Sequence, residues 1–200
     1  LSGVINIVTR RGAQTLLETE EIFELGTFGQ RTYAATARGT SAPLSYGVGF
    51  NRRDVTGYRE STNARTVTIT SHIGLDLLPE LRLDTRLLHS EDTSYFPGGM
   101  TPEASEARRR QKGAFNGFFD NETTQVSFDS QFHIPWGLSM GLSGFVLERE
   151  SDSAVSDSRF AVLSPSKGLS LRTSHDVNLI GLRHSMVVSL DLLDEKASTG

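Results

Sequence analysis

The sequence predicts an all-β chain, and within that class part of an antiparallel transmembrane β-barrel, on three observations. Apolar and polar residues alternate with period two in segment after segment, which gives each segment one greasy and one polar face. The connections alternate between short and long, so turns collect on one rim and polar loops on the other. The segments are about ten residues long, as a tilted strand crossing the hydrocarbon layer requires. A soluble sandwich or lipocalin also alternates, but its loops need not sort by parity.

Taken in order, residues 3–12 come first, with Val4, Ile5, Ile7 and Val8 around Asn6 forming a β-branched run between Gly3 and Gly12 that favours a buried strand. A less regular pair follows at about 18–28 and 32–39. In the third segment Leu44, Tyr46, Val48 and Phe50 alternate with Ser45, Gly47, Gly49 and Asn51. Val67, Ile69, Ile73 and Leu75 mark the fourth. Leu81, Leu83, Thr85 and Leu87 set against Arg82, Asp84, Arg86 and Leu88 mark the fifth. The pattern is clearest at 124–134, where Val126, Phe128, Phe132 and Ile134 share a face with Ser130 and oppose Gln125, Ser127, Asp129, Gln131 and His133. Leu138, Met140, Leu142 and Val146, then Leu169, Leu171 and Val177, then Met186, Val188, Leu190 and Leu192 complete about nine strands. Short turns fall near 39–43, 77–80, 134–137 and 180–183, three of them with a proline (Pro43, Pro79, Pro135). Long polar connections are expected at 54–64, 92–123 and 149–167, and a short helical turn at 102–110.

Composition narrows the function classes. A net charge of −4 and a pI near 5.7 imply no nucleic-acid partner. No apolar run approaches the roughly 20 residues of a spanning helix, and a mean hydropathy of −0.27 is what a barrel wall of mixed facing also gives. The chain has no cysteine, which leaves no disulfide framework and no thiolate metal site. It begins without a basic n-region, within a strand-like run, and ends on residues 194–200 without a closing aromatic residue, so it reads as an internal fragment.

Apparent catalytic features have plainer accounts. Residues 137–141 satisfy Gly-x-Ser-x-Gly, but a nucleophile elbow needs a strand-to-helix turn, and Leu138, Met140 and Leu142 continue a strand pattern instead. Ser139 is therefore expected as a wall residue, with a soluble serine hydrolase as a remote alternative, and no catalytic residue is assigned. His72, His89, His133, His175 and His184 have no metal-ligand spacing, so no metal site and no cofactor are expected. Arg82, Asp84 and Arg86 share one strand face. Charges facing lipid cost several kcal/mol near the midplane, so these three, with Asp129, Arg172, Asp176 and Asp191, are placed on the lumenal face.

The run Gly3, Val4, Ile5, Asn6, Ile7, Val8, Thr9, followed by Arg10, Arg11 and Gly12, resembles the closing strand of the plug domain in TonB-dependent outer-membrane receptors. Residues 26–33, the strand 44–53 leading into 54–58, and the loop 95–99 are similar to the early barrel of that family in order and spacing. The resemblance implies the end of a plug over residues 1–13 and the N-terminal portion of an outer-membrane barrel over 14–200, about nine of the family's 22 strands. It implies location in the bacterial outer membrane and a receptor or transporter, not an enzyme. The implied activity is active uptake of a scarce solute, most often a ferric siderophore, coupled to periplasmic TonB through a part of the protein not contained in this chain. Outer-membrane lipid and lipopolysaccharide are the implied surroundings. A passive porin or adhesin barrel without energy coupling is the alternative.

Within that resemblance, ligand chemistry is expected in the connection 92–123. Tyr95 and Phe96 stand beside a Pro97-Gly98 turn, Arg108, Arg109, Arg110 and Lys112 follow, and Phe115, Phe118 and Phe119 close the segment. Aromatic faces and guanidinium groups suit an anionic or catecholate-like iron chelate. The plainer account is a solvated loop whose basic residues meet lipopolysaccharide phosphates. Tyr58 is a lesser candidate, and Trp136 is read as an interfacial belt residue.

Overall fold

A computed structural model describes residues 15–114, 116–134, 136–180 and 182–199. The plug-like run Gly3–Gly12, Phe115 and Pro135 lie outside them. The elements are β1 (Glu18–Leu25), β2 (Arg31–Ser41), β3 (Leu44–Val55), β4 (Ala64–Leu78), β5 (Leu81–Phe96), α1 (Pro102–Ala107), β6 (Gly117–Ile134), β7 (Leu138–Val155), β8 (Ser158–Leu163), β9 (Ser166–Leu179), β10 (Leu182–Glu195) and β11 (Ser198–Thr199). All strands join one antiparallel sheet in which β1 to β7 each pair with their chain neighbours, β8 pairs β7 and β11, and β9 pairs β7 and β10; among the described residues β1 and β10 do not meet, so the sheet is open.

The expected nine strands are present as nine staves, two of them interrupted. The pairing of β7 with β8 runs from Val155↔Ser158 to Glu150↔Leu163 and resumes in the same register with β9 at Leu147↔Ser166. The last stave repeats this, with β10 pairing β9 up to Glu195↔Ser166 and β11 pairing β8 from Ser198↔Leu163. The interruption sits at Pro165, which has no N–H to give the ladder. Its carbonyl still accepts from the Lys196 N–H at 3.1 Å, and Ser164 still exchanges backbone bonds with Arg149.

Two connections are shorter than expected. The span 149–167 is no loop: β7 runs to Val155, turns at Ser156 (φ +55°) and Asp157, and returns as β8 and β9. Likewise β5 reaches Phe96 and β6 starts at Gly117, within the connection expected at 92–123. The cause is visible in the sequence. From Ser90 to Thr93, opposite Asp120 to Thr123, both faces are polar, so alternation ends while the ladder Ser90↔Thr123, Glu91↔Glu122, Asp92↔Asn121 continues. The helical turn is confirmed as α1, with Pro102 at its first position and the Thr101 hydroxyl accepting from the Ala104 N–H at 3.2 Å.

The two faces differ as the alternation predicts. Thr85, Phe128, Gly144, Leu169 and Leu192 form one cross-strand row of the apolar face, and Leu81, Phe132, Met140, Thr173 and Val188 form another. These residues are not a core. Val126, Phe128 and Phe132 are 44%, 41% and 36% exposed, and no large side chain among the described residues is fully buried. A water-soluble sandwich of this size would place them in a dry interior. The opposite face carries His72, Arg82, Asp84, Arg86, Ser127, Asp129, Ser139 and Ser143, interrupted by Leu88, Phe145 and Leu147.

Candidate functional site

At the tight-turn end of the polar face, the charges are joined into one network. Asp84 is 7% exposed, receives the Arg82 Nε–H at 2.8 Å, and lies 2.8 Å from His72 Nε2. Arg82 also reaches Asp76 at 2.7 Å and the Ser45 hydroxyl at 3.0 Å. Such a cluster is tolerable on a sheet face because each charge has a partner. Asp84 is thus shared between Arg82 and His72, with Arg86 left out. Asp129, opposite Asp84 in register, receives the Gln131 amide at 3.2 Å.

At the long-loop end, the connections after β3 and β5 are stitched together by arginines. Arg59 donates to the carbonyls of Gln111 (3.1 Å) and Gly98 (3.0 Å), and the Glu60 N–H donates to the Arg110 carbonyl at 2.7 Å. Arg108 is ion-paired with Glu60, and the Arg110 guanidinium lies 5.1 Å from the centre of the Tyr58 ring, itself edge-on to Phe28 at 5.7 Å. Gly98 has φ +69°, as position i+2 of the expected type II turn requires. Arg109 is exposed and makes no side-chain bond among the described residues.

The aromatic residues divide by face. Tyr95 and Phe96 are successive strand residues and point to opposite sides of the sheet. Tyr95 packs with Phe118 on the apolar side (6.1 Å between centroids) and Phe96 with Phe119 on the polar side (5.3 Å). They do not form one aromatic platform. Phe160, which the sequence reading passed over inside a presumed loop, lies across from Ser153, and Ser153 lies across from Phe119. Phe96, Phe119 and Phe160 therefore gather on the polar face at the loop rim, with Phe119 and Phe160 46% and 58% exposed. Ser158–Leu163 does not alternate; the β-prone run Phe160, Ala161, Val162, Leu163 is the signal in the sequence that could reveal Phe160.

Ser139 sits in the uninterrupted strand β7, across from His133, and not on the strand-to-helix turn that a nucleophile elbow needs. No group of His, Asp and Glu among the described residues has metal-binding geometry. Trp136 stands 89% exposed in the turn before β7.

An open antiparallel sheet of nine staves, apolar on one face, polar on the other and edged by turns and loops on opposite rims, has the architecture of a β-barrel wall segment. Solved structures agree: the chain is similar to the ferric citrate transporter FecA in its unliganded form (TM-score 0.75, 15% identity, 94% of this chain and 30% of that one). It is equally similar to the alcaligin outer-membrane receptor FauA from Bordetella pertussis (TM-score 0.76, 12% identity, 94% of this chain and 29% of that one). The fold is that of the TonB-dependent receptor barrel, and the chain spans about 30% of the length of these structures. No family model and no curated protein matches the sequence. No helix among the described residues is long and apolar enough to cross a membrane, a fact that says nothing of strands.

Proposed function

We propose that the chain is part of a bacterial outer-membrane TonB-dependent receptor that takes up a scarce solute, a ferric siderophore or a related iron chelate. The observation that carries the reading is the exposed apolar face: with Val126, Phe128, Phe132, Leu142 and Leu190 uncovered and no dry interior to receive them, lipid is the solvent that satisfies them. The neighbours transport ferric citrate or receive alcaligin according to their descriptions, and a fold likeness supports the same class of cargo here.

In this reading residues 1–13 end a plug and 14–200 begin the barrel, with coupling to TonB passing through a part of the protein not contained in this chain. The long-loop rim faces outward, where Tyr95 and its apolar side meet lipid and lipopolysaccharide. Ligand contact falls to Phe96, Phe119 and Phe160 on the inner face and to the exposed Arg109 in the connection after β5, while Arg108 and Arg110 hold the loops together. The test is growth of a deletion strain of the parent gene on defined ferric chelates as sole iron source. Loss of growth on one chelate, restored by the intact gene, supports uptake. Unchanged growth and unchanged radiolabelled-iron uptake on every chelate would remove it.

A further inference from the structure

Three connections on the long-loop rim, after β1 (26–30), β3 (56–63) and β5 (97–116), are bonded to one another in series. The first and second meet at the Phe28 carbonyl, which accepts the Thr56 N–H at 3.1 Å and the Gly57 N–H at 3.0 Å. Phe28 has a left-handed backbone (φ +58°), a costly conformation for a bulky residue that persists only where its surroundings impose it. The second connection supplies those surroundings. Its Tyr58 stands edge-on to the Phe28 ring, and its Thr56 is so close that a Cβ added at Gly29 would lie 2.3 Å from the hydroxyl. The second and third connections meet through Arg59, which donates once to the Gly98 carbonyl and twice to that of Gln111. The Glu60 N–H on the Arg110 carbonyl and the Arg108 ion pair with Glu60 add to this junction. Tyr58 takes part in both junctions, its ring touching Phe28 in the first and the Arg110 guanidinium in the second. The third connection is closed on itself by the Gly113 N–H, which donates to the Pro97 carbonyl at 2.6 Å.

We propose that these three connections form a single cooperative unit, a preassembled jaw on the barrel rim that opens all together, so that none of the three can fold over the mouth by itself. Segments open as one unit when the links between them match the links within them. Here the bonds between connections are as numerous as those inside each, and the shared Tyr58 ring couples the two junctions reciprocally. The unit rests on these contacts alone and stands or falls independently of which solute the parent takes up.

The test follows hydrogen exchange at single amides in the full-length parent protein, folded in detergent, for the variants Phe28→Ala and Arg110→Ala. Both side chains are exposed and lie at opposite ends of the series, and unchanged protection across β6 verifies that the barrel is folded. Phe28→Ala is expected to speed exchange at Gly113, in the connection that Phe28 does not touch, by about fivefold or more. Arg110→Ala is expected to do the same at Thr56 and Gly57, whose partner is the Phe28 carbonyl. Within each variant the Thr56, Gly57, Glu60 and Gly113 amides quicken by one common factor, as amides exposed in the same opening must. Factors that differ between connections beyond measurement error, with the remote connection unaffected, mean separate loops and overturn the proposal. Unchanged exchange at all four amides in both variants overturns it as well.

Discussion

Asp54, at the end of β3 above the apolar face, receives the Arg52 Nε–H at 2.7 Å and the Arg65 Nε–H at 2.9 Å. These bonds, that from Arg52 first, lower its pKa from 3.8 to about 2. A depressed carboxylate pKa contributes stability that is fully present above the ordinary value and lost as pH falls through the folded one. Proteolysis of the loop between β3 and β4 is therefore expected to accelerate between pH 4 and pH 2 in an acid-tolerant protease assay. In Asp54→Asn that step is absent. Arg59 is the second residue with a definite consequence. Removing it in Arg59→Ala strips charge-assisted bonds from two carbonyls of the facing loop and is expected to lower local stability there by about 1.5–3 kcal/mol. Hydrogen exchange over residues 97–116 measures it, and unchanged protection contradicts it. Neither role was legible in the sequence. The run Arg108 to Arg110 shows three equal cations, and only the position of Glu60 and Tyr58 in space makes two of them structural.

Among the elements, most of the strands were legible because each has one apolar and one polar face, and alternation is the direct imprint of that. Where both faces carry polar residues the imprint vanishes although the backbone ladder continues, which is why β5, β6 and β7 outrun their predicted ends. Phe96, Phe119 and Phe160 fall in these stretches, where alternation does not place them on strands. Within the apolar band, packing is close at Gly144, where an added Cβ would stand 2.6 Å from the Phe128 ring. Gly144→Ile is expected to displace Phe128 and slow folding into detergent or lipid, whereas Gly141→Ala, with no contact closer than 3.8 Å, is expected to fold normally. Heat-modifiable gel mobility of the parent barrel distinguishes the two variants.

The molecule as a whole is a sheet with two open edges and a bare apolar face. Taken out of its parent and placed in detergent-free buffer, the chain is expected to aggregate, since unpaired backbone at the edges and exposed Leu, Val and Phe both favour self-association. A monodisperse, protease-resistant monomer by light scattering contradicts this. In the intact parent in lipid, Val126→Arg or Leu190→Arg is expected to cost about 2–4 kcal/mol if those positions sit near the midplane, while Ser127→Arg on the inner face costs far less. Equilibrium unfolding in vesicles compares them, and equal costs would argue against lipid on the apolar side.

The sequence by itself determined the fold class, the number of staves and the facing of the regularly alternating residues, because a side chain in a strand has only two sides to occupy and an apolar and a polar surround enforce the choice at every step. Only the tertiary structure decided that Tyr95 pairs with Phe118, that Phe160 joins Phe119, that Arg108 and Arg110 are spent on loop packing, and that Arg86 Nε has no hydrogen-bond partner among the described residues. Those outcomes depend on register between strands far apart in sequence, and period-two alternation fixes a residue's face without fixing its neighbour.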